Sequence, residues 1–251
     1  MVNINQLILK SKKLRVDTFN AFVKKGEAHL GGSFSIIEIL IYLYELQLKK
    51  KDKFILSKAH ASFPLCLILR EKGYKIPITT HLEIDTKNGI YCTTGSLGHG
   101  FPISVGMALA RKREKISGRI YVMISDGECQ EGTTWESLLI ASKHNLSNLV
   151  LLIDYNKVQA LSLINDVLPL NSLSKKIKSF NWNCIDIKNG HSFKNLNDCF
   201  KKIPNNSKPT ALILNTVKSK GIKKFENDPA WHAKKIEGNL VIEGKKALGI
   251  K

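Results

Sequence analysis

Two short polar segments carry the residues of this 251-residue sequence best suited to chemistry. Ser125-Asp126-Gly127-Glu128 follows the apolar run RIYVMI (Arg119 to Ile124), and Asp154-Tyr155-Asn156 closes the run LVLLID (Leu149 to Asp154). Asp126 and Asn156 stand 156 − 126 = 30 residues apart, room for one helix and one strand between them. A Mg²⁺ ion takes a near-octahedral shell of oxygens from one or two carboxylates, phosphates and water. Asp126, the side-chain oxygen of Asn156 and a nearby backbone carbonyl, that of Val158, would supply three such oxygens and leave the rest to two phosphate oxygens and a water. Gly127 would let the backbone approach a ligand closely. Asp-Gly after a strand is by itself an ordinary turn, so the longer pattern has to carry the argument.

The elements that must position these residues follow from hydrophobic patterning. Arg119 to Ile124, Leu149 to Asp154, Trp182 to Ile187 and Ala211 to Val217 are short, nearly continuous apolar runs, the signature of strands covered on both faces. A further short strand is expected at Lys53 to Leu56, with helices at Ile4 to Lys24, Ser35 to Leu46, Ala61 to Lys72, Ile103 to Arg113 and Thr133 to His144. Thr133 or Thr134 is expected to cap the last of these, with Glu136 in its first turn. Strand, helix, strand at this spacing predicts an α/β fold: a doubly wound, mainly parallel sheet with helices on both faces and its ligand at the carboxyl ends of the strands. No repeat, low-complexity linker or clear boundary interrupts residues 1–251, so a single domain is expected.

With 43% hydrophobic residues the chain can bury a full core. It has no apolar run long enough to span a bilayer and no signal-peptide pattern, which makes a cytoplasmic location and no membrane partner the expectation. Cys66, Cys92, Cys129, Cys184 and Cys199 form no CxxC pair and read as reduced, packed thiols. The net charge of +18 would suit a nucleic-acid partner, but the lysines are spread along the whole chain, with no arginine-rich arm and no aromatic interleaving. The expectation is therefore no nucleic acid; the positive field would instead attract phosphorylated substrates and an acidic partner chain.

The segment Ser125 to Gln159 closely resembles the thiamine diphosphate signature of the transketolase family, which runs Gly-Asp-Gly, one helix, one strand, then Asn. The resemblance continues in the family's order over nearly the whole chain. Gly26 to Ser33 (GEAHLGGS) resembles Ser-Gly-His-Pro-Gly-Gly-Ser, and Leu56 to Ala61 (LSKAHA) resembles Leu-Ser-Lys-Gly-His-Ala. Thr94 to Gly100 (TGSLGHG) resembles Thr-Gly-Ser-Leu-Gly-Gln-Gly. Lys218 to Gly221 (KSKG) and Glu226 to His232 (ENDPAWH) resemble Lys-Gly-Lys-Gly and Glu-Asn-Asn-Pro-Ala-Trp-His. The sequence departs from the pattern at Ser125, Ala59 and Lys157, where the family has or often has glycine, and at His99, where it has glutamine.

The resemblance implies the thiamine diphosphate-binding fold, with thiamine diphosphate and Mg²⁺ as cofactors. Asp126, Asn156 and Val158 are then the metal ligands. His60, Gly95, Ser96, Leu97, Gly98, Asp126, Gly127, Glu128, Asn156 and His232 bind the cofactor, the glycine loop leading into a helix near Pro102. His29, His60, His81 and His232 line the channel to the reactive carbon, where imidazoles donate hydrogen bonds and move protons near neutral pH. Glu131, by composition a first-turn charge favoured by the helix dipole, is implied to contact the partner subunit's catalytic glutamate. His191 reads as structural. The chain ends after the diphosphate-binding domain's closing motifs, so the pyrimidine-binding and C-terminal domains are expected on a separate C-terminal subunit, giving an α₂β₂ heterotetramer. The activity implied is transfer of a two-carbon ketol unit from a ketose phosphate to an aldose phosphate, as in the pentose phosphate pathway. The alternatives are a ketolase of a specialised sugar pathway and a non-catalytic regulatory subunit.

Overall fold

A computed structural model describes residues 3–250. The chain opens with α1 (Ile4–Lys25), whose start is capped by the Asn3 side chain accepting from the Asn5 and Gln6 amides and whose end turns at left-handed Gly26. The helix expected from Ser35 to Leu46 forms as α3 (Ile37–Tyr42), running straight on into a π-helical turn (Leu43–Gln47), and is preceded by a separate short helix, α2 (Leu30–Phe34), that patterning did not predict. At the junction of α2 and α3, Ser35 turns its hydroxyl to the Gly32 carbonyl and the Asp154 carboxylate, and Ile36 leaves helical geometry at φ −111°. Then follow β1 (Lys53–Leu56), α4 (Phe63–Glu71), α5 (Gly100–Arg113), β2 (Ile120–Ser125), α6 (Gly132–Lys143), β3 (Leu149–Tyr155), the short α7 (Ile164–Val167), α8 (Leu173–Ser179), β4 (Asn183–Ile187), α9 (Phe193–Lys201), β5 (Thr210–Asn215) and α10 (Asn239–Leu248).

All five strands are parallel, in the order β1-β2-β3-β5-β4. Because strand side chains alternate between faces, the apolar runs fill two separate cores. Tyr121, Met123, Val150, Leu152, Leu212 and Leu214 face one, closed by α1, α3, α4 and α9. Ile120, Val122, Ile124, Leu149, Leu151, Ile153, Ala211 and Ile213 face the other, closed by α5, α6 and α8. The doubly wound α/β architecture is as expected, and the strands expected from patterning all form within two residues of their runs.

Two local expectations fail. α5 begins at Gly100, before Pro102, which the first turn accommodates because its missing N–H has no helical partner there. Thr133 and Thr134 do not cap α6. Glu131 occupies the cap position without a side-chain bond, and the threonine hydroxyls donate to the Gly98 and Glu128 carbonyls, at 2.7 Å each. Those carbonyls belong to the two loops flanking the carboxyl edge, so the threonines tie the loops down rather than the helix start. No helix among the described residues is long and apolar enough to cross a membrane.

The register aligns Ser125 with Asp154 and Asp154 with Leu214, which brings the polar ends of β2 and β3 to the same edge beside β5. Removing a side chain from the centre of this sheet should be costly. Leu152→Ala, at a position with no solvent exposure, is expected to lower stability by about 2–5 kcal/mol in denaturant titration, whereas Leu161→Ala, 79% exposed, should change it by less than about 0.5 kcal/mol.

Candidate active site

A cavity at the carboxyl ends of β2 and β3 is lined by Asp126, Gly127, Asn156 and Val158, by Lys58 and His60 after β1, by Leu97, and by Lys218 and His232 after β5. Asp126 is buried, and its oxygens accept from the Gly127 amide at 2.8 Å and the Lys157 amide at 2.5 Å. The Asn156 Oδ1 accepts from the Val158 amide at 3.0 Å, while its Nδ2 donates to Asp154 at 3.1 Å. Asp126, Asn156 and Val158 thus line the same space, with the Val158 carbonyl accepting from the Lys218 ammonium at 3.1 Å. Among the described residues no group of three His, Cys, Asp or Glu side chains is arranged to hold a metal.

The orientation of Asn156 is set from behind by Asp154. This fully buried carboxylate receives the Ser35 hydroxyl at 2.7 Å, the Lys58 ammonium at 2.5 Å, the Thr216 hydroxyl and the Asn156 amide. Burial pushes its pKa up, but the Lys58 charge and these hydrogen bonds outweigh burial and hold Asp154 below the ordinary value. Asp126 has no such cation beside it. Burial first, and then the charge of Asp154, push it up to about 7. Burial also raises Glu128 to about 7. Its Oε1 accepts from the Gly98 amide at 2.9 Å and from the Ser57 hydroxyl, while its Oε2 is buried with no partner.

Four histidines adjoin the cavity. The His29 ring centroid lies 5.5 Å from that of His60, 6.2 Å from His81 and 5.3 Å from His232, and His60 and His232 are 5.2 Å apart. His81, the least diagnostic of the four in sequence, joins the group because its backbone turns through φ 54° after Thr80, with its amide on the Ala59 carbonyl. Burial lowers the pKa of His29 and, together with the Lys58 charge, that of His60. Burial and the Lys218 charge bring His232 down to about 4. These three rings are neutral at pH 7, each with one donor and one acceptor nitrogen. The Nδ1 of His29 is buried without a partner. His191 is structural, as expected: its Nε2 accepts from the Val217 amide at 2.9 Å, so its Nδ1 carries the proton donated to Glu38 at 2.8 Å.

The glycine loop is placed differently from expectation. Leu97 reaches the cavity, but Gly95, Ser96 and Gly98 do not line it. The Gly98 amide is already taken by Glu128, so it is not free for ligand oxygens. Gly98 adopts φ 82°, and a Cβ there would meet the Thr133 hydroxyl at 2.6 Å, which explains the glycine without any ligand. Glu131 is exposed at the rim beside this loop. At Gly127 a Cβ would meet nothing in the chain nearer than 3.6 Å; the space it would occupy opens on the cavity.

The departures from the family pattern are accommodated. Ser125 accepts the Glu128 amide on its hydroxyl at 3.1 Å. Ala59 is buried in a single 3₁₀ turn. Lys157 takes a left-handed conformation, φ 67°, as glycine would, and its exposed side chain carries the ammonium 5.6 Å from the Tyr155 ring, where it does not crowd the cavity. His99 is exposed, with Nδ1 3.1 Å from the Leu97 carbonyl. Sequence patterns alone gave no role to Lys58, Asp154 or Lys218. Asp154 ends a strand two residues before Asn156, and that strand-end placement was the available signal.

The sequence and fold have parallels among known proteins. A family model described as "Transketolase, thiamine diphosphate binding domain" matches residues 6–251. One of the subunits of the apulose-4-phosphate transketolase of Actinobacillus succinogenes is 33% identical over 264 residues, spanning 96% of this chain and 95% of that protein. The 6-deoxy-6-sulfo-D-fructose transketolase subunit SqwG of Clostridium sp. is 34% identical over 246 residues, 89% of each chain. The crystal structure of transketolase from Campylobacter jejuni superposes with a TM-score of 0.86 at 22% identity, covering 100% of this chain and 44% of that one, so this chain spans less than half of that longer protein. The chain belongs to the transketolase family, as its thiamine diphosphate binding domain.

Proposed function

We propose that this chain is the diphosphate-binding subunit of a split transketolase, moving a two-carbon ketol unit from a ketose to an aldose with the help of a separate subunit that supplies the activating glutamate. The observation that carries this reading is the meeting of Asp126, Asn156 and Val158 in the lining of one cavity beside three neutral histidines. The donor set suits a hard divalent cation such as Mg²⁺. Asp126 is also the one buried carboxylate of the pair without a cation of its own, which its raised pKa reflects. When bound, thiamine diphosphate supplies the carbanion chemistry itself.

The protein's part is binding and proton handling. Asp126, Asn156 and Val158 would hold the metal beside the diphosphate, with Gly127 leaving room for the approach. His60 and His232 sit between that end and the channel, and His29, with an unsatisfied Nδ1, is placed to exchange a hydrogen bond with a substrate hydroxyl. His81 completes the wall. Glu131, exposed at the rim, is the residue assigned to contact the partner's glutamate. The non-catalytic alternative is disfavoured because every residue of the metal and histidine sets is present and assembled.

Relatives spanning about the same length are named as subunits, which supports a two-chain enzyme. Their names also specify an apulose phosphate and a sulfonated fructose, which favours a specialised anionic ketose over the sugars of the pentose phosphate pathway. We place the assembly as α₂β₂ in the cytoplasm.

Three outcomes are expected. Mixed with its cognate C-terminal subunit, thiamine diphosphate and Mg²⁺, the chain should form a heterotetramer in analytical ultracentrifugation and catalyse ketol transfer from an anionic ketose; loss of transfer for every ketose tested would refute the reading. His29→Asn should lower kcat/KM for transfer by about 100-fold or more with cofactor affinity little changed.

The third outcome concerns pH. Asp126 in the folded chain keeps its proton up to about pH 7, against 3.8 as its ordinary value. Its contribution to stability is therefore full below about pH 4 and lost as pH rises through 7. In the metal-free chain, Asp126→Asn should gain thermal stability relative to the parent between pH 5 and pH 8. Mg²⁺ with thiamine diphosphate should stabilise the parent at pH 8 and leave the variant nearly unchanged. A pH-independent difference would contradict this assignment.

A further inference from the structure

Glu27 lies in the turn between α1 and α2, two residues before His29, and neither the metal donors nor the histidine set accounts for it. In the Ser-Gly-His-Pro pattern that this segment resembles, the residue two before the histidine is serine; here it is a carboxylate. The side chain is half-buried. Its Oε2 accepts from the Thr80 hydroxyl at 3.0 Å, and no donor from the described residues reaches Oε1. Among the described residues Glu27 makes no ion pair, in a chain whose net charge is +18. One carboxylate oxygen, with room for further acceptor bonds, is thus left beside the histidine channel.

The four histidines form a series leading outward from Asp126 and Asn156. His60 and His232 line the cavity with those two residues; the His29 ring lies 5.5 and 5.3 Å from theirs, and the exposed His81 lies 6.2 Å from His29. Glu27 is fastened to Thr80, the residue before His81, so its carboxylate belongs to the outer end of the series. Burial lowers the His29 pKa, and the Glu27 charge acts on the same ring in the opposite direction. A sugar chain extending along these rings presents hydroxyl groups at successive carbons, and a hydroxyl donates more strongly to a carboxylate than to a neutral acceptor. A phosphate or sulfonate at the same point would be repelled.

We propose that Glu27 is a specificity residue of the ketol transfer: its free oxygen accepts a hydrogen bond from a sugar hydroxyl beyond the reacting carbons, and its charge keeps anionic groups from that position. The inference rests on the ketol-transfer reading. It names the substrate class more narrowly, as a polyhydroxy sugar whose anionic group lies clear of the turn between α1 and α2. Glu27 binds and selects substrate, and it has no part in holding the cofactor.

Steady-state kinetics of the enzyme reconstituted with its partner chain, thiamine diphosphate and Mg²⁺ tests this. Hydroxypyruvate, whose carboxylate leaves as CO₂, serves as a common donor of the two-carbon unit. The acceptors are glycolaldehyde, too short to reach Glu27, D-erythrose and D-erythrose 4-phosphate. Glu27→Ser should lower kcat/KM for D-erythrose about tenfold or more, mainly through KM, and leave that for glycolaldehyde within about twofold. Glu27→Gln keeps an oxygen for the Thr80 hydroxyl but removes the charge. It should raise the preference for D-erythrose 4-phosphate over D-erythrose about threefold or more. Equal losses for glycolaldehyde and D-erythrose in Glu27→Ser, or the parent's preference retained in Glu27→Gln, would reduce Glu27 to an anchor for Thr80 and overturn the proposal. If Glu27→Ser does not fold, Glu27→Gln decides alone. Failure of the broader reading looks different: the parent itself would transfer no ketol unit to any of the three acceptors.

Discussion

Asp154 carries a carboxylate with no exposure to solvent, and the geometry of the cavity hangs on how that charge is held. An isolated buried carboxylate would take up a proton; here Lys58, Ser35, Thr216 and Asn156 surround it with donors and keep it ionised. Each donor comes from a different stretch of chain. Ser35 leaves the α2–α3 helical run to reach it, Lys58 follows β1, Thr216 follows β5, and Asn156 lies two residues further along the same strand end. One buried charge thus pins four segments around the carboxyl edge and fixes which way the Asn156 amide points.

The contrast with Asp126 is informative because the two carboxylates are neighbours on adjacent parallel strands. Asp126 receives only backbone amides, and it stays poorly compensated. Placing the cations on Asp154 and on the Val158–Gln159 turn leaves a carboxylate and two neutral groups lining the cavity. Such a set suits a divalent cation that arrives with its own anionic ligand.

Burial does the complementary work on the histidines. Low exposure and two nearby ammonium groups keep His29, His60 and His232 neutral at physiological pH. Neutral rings can both accept and donate, which imidazolium rings cannot. The lysine charges in the cavity wall therefore also help set the protonation of the rings, and the two halves of the site are electrostatically one unit.

Much of this was legible in the sequence. Continuous apolar runs of five to seven residues could be little other than strands of a sheet covered on both faces, and the polar residues ending two of them had to meet at one edge, because parallel strands share their direction. The motifs around His29, His60, Asp126, Asn156 and His232 marked these positions by residue type and order. Other features depended on partners distant in sequence. Ser35, expected to open a helix, stands instead at the junction of α2 and α3, its hydroxyl on Asp154, 119 residues away. Thr133 and Thr134 leave the helix cap for carbonyls of two loops, and the Gly98 amide goes to Glu128. The burial of Lys218 in the cavity wall follows from contacts across 60 residues, in a chain so rich in lysine that its type alone carried no signal. The sequence by itself determined which side chains reach the carboxyl edge, since strand direction and alternation are local properties. Only the tertiary structure decided which of those side chains carry charge and where their hydrogen bonds go, because burial and partner distance are properties of the packed whole.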